Sequence, residues 1–443
     1  MGVDTKKRRI AVVGIGYIGI PLVAALAKVG YHVTGVDIDE EKVRKLSETY
    51  IPNIYEPGLC EALQQCRGDI EFTTDYGYAM GNSEAVFITV GTPLSDANQP
   101  EYKYIDMCID SIGPHLKPGH IIILKSTVVL GTTEDYVKPR LEKLSGLACG
   151  KDFFLGFSPE RTVEGMALHE LHNLPKIVGG INNESSKKIA EVVVKLGGKV
   201  VVVSKPSVAE MCKLIDNSYR AMNIGFANEV GMVCEKIGIN AHEVISAVND
   251  GYARTSMFRP GLGADGPCLS KDPLMFRYSA NKYGVAAGLI NSCIAINNES
   301  TLRLSSITSE FIKDNNIENP KIALIGLAFK GFPETDDMRG SPALKIRKAL
   351  LENHPYIEFS YYDPLIKEVD DQKTASSIPE CIEGAHIVMF LTNHPRLMNV
   401  DSSQLADSLS KPCLIIDAWR NTTGHDKIHN EKDIKVFRIG VGE

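Results

Sequence analysis

Residues 9–37 read RIAVVGIGYIGIPLVAALAKVGYHVTGVD, and their order decides how the N-terminal part of the chain folds. Arg9-Ile-Ala-Val-Val is a short apolar strand. Gly14-x-Gly16-x-x-Gly19 follows at once, with Tyr17 and Ile18 between the glycines, then a helical run from Pro21 to Val29. A second strand, His32–Val36, ends at Asp37. Each glycine has a separate task. Gly14 makes the tight turn, Gly16 lets backbone approach a pyrophosphate, and Gly19 lets helix and strand pack closely. An acid placed where Asp37 stands bonds a ribose 2′-hydroxyl and repels a 2′-phosphate, so the pattern predicts NAD rather than NADP.

Further strands are predicted at 84–90, 120–125, 152–157, 176–178 and 199–203, mostly separated by helical patterns. That alternation belongs to a doubly wound parallel sheet. Three strands run into polar loops: Val90-Gly-Thr92-Pro93, Ser126-Thr127 and Ser158-Pro159-Glu160. Ligands of such sheets bind at the carboxyl ends of strands, which makes these loops candidates to face cofactor and substrate.

Composition bounds the rest. The chain has 443 residues, 44% hydrophobic and 23% charged, with a net charge of −7. Two to three domains are expected, and the charge argues against a nucleic-acid binder. No apolar run has membrane-spanning length. Ten scattered cysteines, without a CxxC or a His/Cys cluster, predict reduced thiols in a cytoplasm and no metal site.

From Ser207 to Gly238 apolar residues recur near a 3.6 period: Met211, Leu214, Ile215, Met222, Phe226, Val230, Val233 and Ile237. Ser207 and Glu210 read as a capping box at the helix start. Lys213, Asn217 and Arg220 fall on one helix face, where three donors suit an oxyanion or a sugar and where an ordinary solvated face is the plain alternative. A second long helix is predicted over 286–315, and the pair makes a connecting spine and a dimer interface.

Between the helices lies Gly261-Leu-Gly263-Ala-Asp265-Gly266-Pro267-Cys268-Leu-Ser270-Lys271-Asp272-Pro273. Asp272-Pro273 reads as an N-cap and first-turn proline, so Cys268 is expected in a tight loop just before a helix and beside Lys271. Positive charge from both favours the thiolate. A buried, inert thiol is the ordinary alternative.

The last part repeats the strand–turn–helix alternation without a GxGxxG. Lys321–Ile325 runs into Gly326, Ser341-Pro342 starts a helix, and strands follow at 357–361, 386–391 and 413–416. Lys330, Arg339 and Arg420 near strand or loop ends are candidate phosphate ligands. The expected fold is α/β, with two Rossmann-like doubly wound parallel-sheet domains joined by a long-helix central domain. The expected boundaries are 1–205, 206–315 and 316–443.

In this order, GIGYIG at 14–19, TPL at 92–94, KSTV at 125–128, SPE at 158–160, AEMCKLIDNSYRAMNIGFANE at 209–229, the Cys268 segment, GLAFK at 326–330, YDP at 362–364 and DAWRN at 417–421 resemble the UDP-glucose/GDP-mannose dehydrogenase family over essentially the whole chain. The resemblance implies an NAD-dependent four-electron oxidoreductase that converts the sugar C6 alcohol of a nucleotide sugar to a carboxylate. It implies Cys268 as nucleophile, Lys213 and Asn217 at the oxyanions, and Asp272, Thr127 and Glu160 in proton transfer and thioester hydrolysis. It places Gly14, Gly16, Tyr17, Ile18, Gly19, Asp37, Thr92, Thr127 and Glu164 at the cofactor. It places Arg161, Lys213, Asn217, Arg220, Gly263, Phe329, Lys330 and Arg420 at the substrate, with Arg254 reaching a neighbour's substrate across a homodimer or higher homo-oligomer.

Alcohol oxidation needs a hydride acceptor and a route for a proton. Oxidising the aldehyde further needs a tetrahedral adduct, which a thiolate supplies. The sequence departs from the family pattern at Asp265, usually glycine, at Ser270, and at Trp419 in the final motif. The Arg161 and Arg220 segments are similar to the UDP-N-acetylhexosamine branch, with UDP-N-acetylmannosamine the expected substrate. Lys271-Asp272 is similar to the UDP-glucose branch. A two-electron hydroxyacid dehydrogenase and a non-catalytic NAD-binding regulator are the other classes considered. The first has no use for Cys268 or a third domain, and intact Lys213, Cys268 and Asp272 argue against the second.

Overall fold

The computed structural model describes residues 7–428 and 431–442. The chain divides into two compact units. One comprises residues through Asp216 with Leu274–Val285, and the other comprises Asn217–Pro273 with residues from Ala286 onward.

The first unit is built on an eight-stranded sheet. Its strands are β1 (Arg9–Val13), β2 (His32–Val36), β3 (Ile70–Thr73), β4 (Ala85–Ile88), β5 (Ile121–Leu124), β6 (Phe154–Phe157), β7 (Lys176–Gly180) and β8 (Val200–Val203), in the order β3-β2-β1-β4-β5-β6-β7-β8. Alternate residues of β1 serve opposite faces. Ile10 and Val12 join one core cluster, and Ala11 and Val13 join the other. This is the period-2 pattern of a strand covered on both sides. The order reverses between β1 and β4, where α/β sheets open their ligand crevice. Helix α1 (Gly19–Lys28) starts at that point.

The expectation of an all-parallel sheet is corrected at one seam, because β7 runs antiparallel to β6. A chain entering an antiparallel neighbour does not cross to the far edge. Residues 158–175 therefore stay at the carboxyl edge of β6.

Helix α2 spans Pro206–Ile237. The expected capping box at its start does not form. Ser207 Oγ has no hydrogen-bond partner. Glu210 turns instead to the start of the helical segment Thr132–Val137, accepting from Gly131 N (2.7 Å), Thr133 N (2.9 Å) and Thr133 Oγ1 (2.7 Å). Pro206, with φ fixed for a first turn, starts the helix in its place. Burial raises the Glu210 pKa despite those bonds.

Cys268 is not in a loop. It lies on a one-turn helix, α3 (Gly266–Leu269), ahead of α4 (Asp272–Lys282). The long α5 covers Gly288–Asp314. The sheet of the second unit contains β9 (Lys321–Ile325), β10 (Glu358–Tyr362), β11 (Ile387–Phe390), β12 (Cys413–Asp417) and β13 (Ile434–Arg438). Its order is β10-β9-β11-β12-β13, all parallel. This is the second common doubly wound order, with its switch between β9 and β11. Helix α6 (Pro342–Asn353) is capped by Ser341, as its sequence predicts. Among the described residues, no helix is long and apolar enough to cross a membrane.

Candidate functional site

The β1–α1 turn has the geometry a pyrophosphate needs. Gly14 has φ +90°, and a side chain there would meet the backbone of Thr89 and Val90. A Cβ on Gly19 would fall 2.0 Å from Gly14 O, whereas one on Gly16 would meet nothing within 4 Å. The glycine that must let a ligand approach is thus the one with open space beside it. Tyr17 and Ile18 lie half-buried ahead of α1. At the end of β2, Asp37 Oδ2 accepts from Ile15 N at 3.1 Å and pairs with Lys42 Nζ at 3.1 Å. These residues fit a dinucleotide with an unphosphorylated ribose.

The carboxyl-edge loops are laced together. Thr92 Oγ1 donates to Thr127 O at 2.6 Å, and Ser126 Oγ donates to Val90 O at 2.6 Å. Glu160 Oε1 accepts from the N–H groups of Arg161 (2.8 Å) and Thr162 (2.9 Å). Its Oε2 lies 3.2 Å from Lys125 Nζ, and both side chains are buried. Burial opposes ionisation of Glu160, but the Lys125 ammonium and the two N–H bonds outweigh it and hold the carboxyl below its ordinary range.

Two further carboxylates hold the rest of this loop. Glu170 accepts from Val163 N, and Glu56 accepts from Gly165 N and Ala167 N. Glu164, half-buried, sits between these anchors. Lys125, Glu56 and Glu170 were not singled out from sequence. The first stands in the KSTV motif, but nothing local marks the other two. Arg161 is tied to Asp216 by a 2.7 Å ion pair.

On α2, Lys213 is 8% exposed and Asn217 fully buried, while Arg220 is exposed, so only the first two depart from the solvated face that the alternative required. Asn217 Nδ2 donates to Asp272 Oδ2, and its Oδ1 accepts from Arg220. Asp272 is the first residue of α4, yet its carboxylate serves Asn217 rather than capping the helix as expected. It is 1% exposed, and Oδ1 accepts no hydrogen bond while Lys271 Nζ stands 3.9 Å away.

Cys268 is the one exposed cysteine of the ten, and none of them is in a disulfide. Burial pushes the thiols of Cys108, Cys149 and Cys381 up to about 12, which leaves them inert at neutral pH. The backbone leading to Cys268 is held from several sides. Asn228 bonds Gly261 N and Leu262 O, Thr301 Oγ1 accepts from Gly263 N, and Asn297 Oδ1 accepts from Ala264 N. A Cβ on Gly263 would fall 2.0 Å from Asn297 O, and one on Gly266 would fall 2.3 Å from the Phe329 ring. Asp265, unexplained by sequence, accepts from Thr301 Oγ1 at 2.6 Å and from Lys345 Nζ.

In the C-terminal sheet, Gly326 (φ +87°) turns after β9 as Gly14 turns after β1. Asp363, at the end of β10, accepts from Leu327 N at 2.7 Å as Asp37 accepts from Ile15 N. Asp363 also takes the N–H groups of Leu365 and Ile366, so this acid is spent on backbone. The helix after Gly326 begins only at Pro342, leaving a long loop in place of the short dinucleotide turn. That loop carries Phe329 and Lys330, whose ammonium lies 5.6 Å from the Phe329 ring centroid. Arg339 on the same loop forks onto buried Asp337. Arg420 is exposed at φ 61°. Trp419 has a clear place: Nε1 donates to Leu391 O at 3.1 Å, and its ring fills the space beside Gly261. Exposed Arg254 lies over the Tyr252 ring, 4.8 Å from its centroid.

Three models of one family match the chain in order. These are the NAD binding domain at residues 8–196, the central domain at 207–299 and the UDP binding domain at 323–424. The UDP-N-acetyl-D-mannosamine dehydrogenase of Pyrococcus horikoshii is 31% identical over 411 residues, covering 92% of this chain and 94% of that one. A UDP-glucose 6-dehydrogenase of Haloferax volcanii is 29% identical, covering 95% and 99%. A solved structure of UDP-D-ManNAc dehydrogenase from P. horikoshii superposes with a TM-score of 0.86 at 30% identity, covering 98% of this chain and 99% of that one. With all three models matched along its length, the chain belongs to the UDP-glucose/GDP-mannose dehydrogenase family, the NAD-dependent nucleotide-sugar 6-dehydrogenases.

Proposed function

We propose that the chain oxidises the C6 alcohol of a UDP-N-acetylhexosamine, UDP-N-acetylmannosamine foremost, to the uronate. The observation that carries this reading is Cys268: exposed, on a helical turn, four residues before a buried carboxylate with one oxygen left for a proton or water. The choice of sugar is supported by the Arg161 and Arg220 segments and by relatives such as the P. horikoshii enzyme. UDP-glucose is the second reading, favoured by the Lys271-Asp272 pair and by the H. volcanii relative.

Gly14, Gly16, Tyr17, Ile18, Gly19, Asp37, Thr92, Thr127 and Glu164 hold NAD. When bound, NAD supplies the hydride acceptor for both oxidations, alcohol to aldehyde and thiohemiacetal to thioester. Asp272 receives the hydroxyl proton, directly or through water. Cys268 Sγ then bonds to the aldehyde carbon, and Lys213 stabilises the resulting oxyanion. In hydrolysis the oxygen of a water held by Thr127 bonds to C6. Its proton passes to Asp272 or Glu160, and the C–S bond breaks to return the thiolate. Asn217 orients Asp272. Phe329, Lys330, Arg420 and Gly263 hold the nucleotide sugar with Arg161 and Arg220.

The domain boundaries proposed are 1–205, 206–315 and 316–443. A second copy of the chain is the proposed partner, with Arg254 reaching its substrate, and a reducing cytoplasm is the proposed compartment. NADH released per sugar, measured across a panel of UDP-sugars, tests the reaction. Two per sugar are expected, and one, ending at an aldehyde, would overturn the four-electron reading. Cys268→Ser is expected to abolish uronate formation.

A further inference from the structure

Asp265 precedes the one-turn helix α3, in the position whose side chain normally accepts from the second or third N–H of the turn. The second residue is Pro267, which has no N–H. The donor that a capping carboxylate would reach is therefore the amide of Cys268 itself. The carboxylate does not cap. Oδ2 accepts from Thr301 on α5, and Oδ1 accepts from Lys345 on α6. Asp265 is buried, while the Lys345 side chain is one-third exposed. A parallel link runs from Gly266 N to Gly340 O at 3.0 Å, just ahead of α6.

We infer that Asp265 and Lys345 form a positioning pair, in which the Lys345 ammonium draws the Asp265 carboxylate off the amide of Cys268 and keeps a negative charge away from the nucleophile. The inference rests on Cys268 being the nucleophile proposed above. A buried carboxylate deprived of its cation seeks other donors, and the Cys268 amide is the one its backbone position offers. A carboxylate there opposes thiolate formation, just as a helix N-terminus or a nearby cation favours it. The other lysine near this turn, Lys271, has its ammonium 3.9 Å from Asp272 Oδ1. The pair also joins the Cys268 turn to the helix that follows the Phe329/Lys330 loop, so nucleophile and nucleotide loop share one support.

The test is alkylation of Cys268 by iodoacetamide at pH 7 on the full-length protein without substrate, followed on the Cys268 peptide by mass spectrometry. Lys345→Met is expected to slow alkylation about tenfold, the effect of one unit in thiol pKa. The double variant Asp265→Asn/Lys345→Met is expected to return within about twofold of the parent, because the carboxylate is gone. Parent-like alkylation of a folded Lys345→Met, or a double variant as slow as the single, overturns the pair. Should Lys345→Met not fold, Asp265→Asn alone decides: a rate equal to or above the parent supports the pair, and a tenfold slower one overturns it. Turnover of UDP-sugars by the parent is measured in parallel. A parent without turnover but with the expected alkylation pattern removes the proposed function and leaves the pair standing.

Discussion

Asn217 and Asp272, 55 residues apart in the chain, are joined by a buried hydrogen bond from Nδ2 to Oδ2. The same amide accepts from Arg220 through Oδ1. An amide bonded at both ends has one rotamer, and so it fixes which oxygen of Asp272 is left for chemistry. That oxygen, Oδ1, accepts no hydrogen bond. Asn217→Ala is expected to lower kcat about 100-fold, within the range for losing one preorganised donor, with a smaller change in the KM for NAD. Asn217→Asp is expected to be worse, because it sets two carboxylates against each other. Steady-state kinetics check both. A purely raised KM would show that Asn217 binds substrate instead of orienting Asp272.

Lys125 and Glu160 make a second buried pair, and Glu160 is the partner with a proposed role in hydrolysis. Removing the cation leaves an uncompensated carboxylate, so Lys125→Met is expected to cost about 3–5 kcal/mol at neutral pH. The pH dependence has a definite sign. In the parent the Glu160 carboxyl titrates below its ordinary value, so its contribution is present above the unfolded pKa and is lost as pH falls through the folded one. In the variant only the two N–H bonds from Arg161 and Thr162 oppose burial, and the carboxyl protonates more readily than in the parent. Urea unfolding should therefore show a deficit that is large at pH 7 and shrinks towards about pH 4. An equal deficit at both values would mean that Lys125 matters for packing only.

Lys176 lies in the same neighbourhood, on β7. Burial lowers its ammonium to about 8, against the opposing pull of Glu160. The unfolded chain keeps that proton up to about pH 10.4. Between the two values the unfolded state holds more protons, so stability from this group rises with pH and is lowest below 8. Lys176→Met is expected to be more stable than the parent at pH 7, by an amount on the order of 2 kcal/mol after losing the Leu174 hydrogen bond. The gain should fade near pH 10. A gain that does not depend on pH would rule out titration as its source.

What the sequence reveals and what it hides divide along physical lines. The Gly14–Gly19 turn and Asp37 are legible because their geometry is local: a strand, a turn and a helix in direct succession. The capping box at Ser207 fails because a contact more than 70 residues away competes for Glu210 and wins with three hydrogen bonds. Asp265 shows the same limit, since its partner Lys345 lies 80 residues on. Strands β3 and β13 are sheet edges that escape sequence reading, unlike the edge strand β8 with its four valines, because IEFT and IKVFR mix charged with apolar residues. Only Ile70 of β3 is buried and no residue of β13 is, so neither needs the apolar run that marks an interior strand.

The apolar period of α2 is real, but part of it does not face the core of its own chain. Tyr219, Phe226 and Val233 recur every seven residues and are 64%, 55% and 56% exposed, with Ile237 at 62%. A seven-residue repeat is the spacing at which one helix packs along another. A stripe on a 32-residue helix that can meet its own copy about a two-fold axis fits an isologous interface. Charged residues on such a stripe would be buried against their own copies. Phe226→Glu is thus expected to convert a dimeric parent to monomer in sedimentation velocity at micromolar concentration, with the melting temperature of the monomer largely kept. A parent that is monomeric under those conditions, or a variant that sediments as the parent does, would show that the stripe serves something other than a second copy.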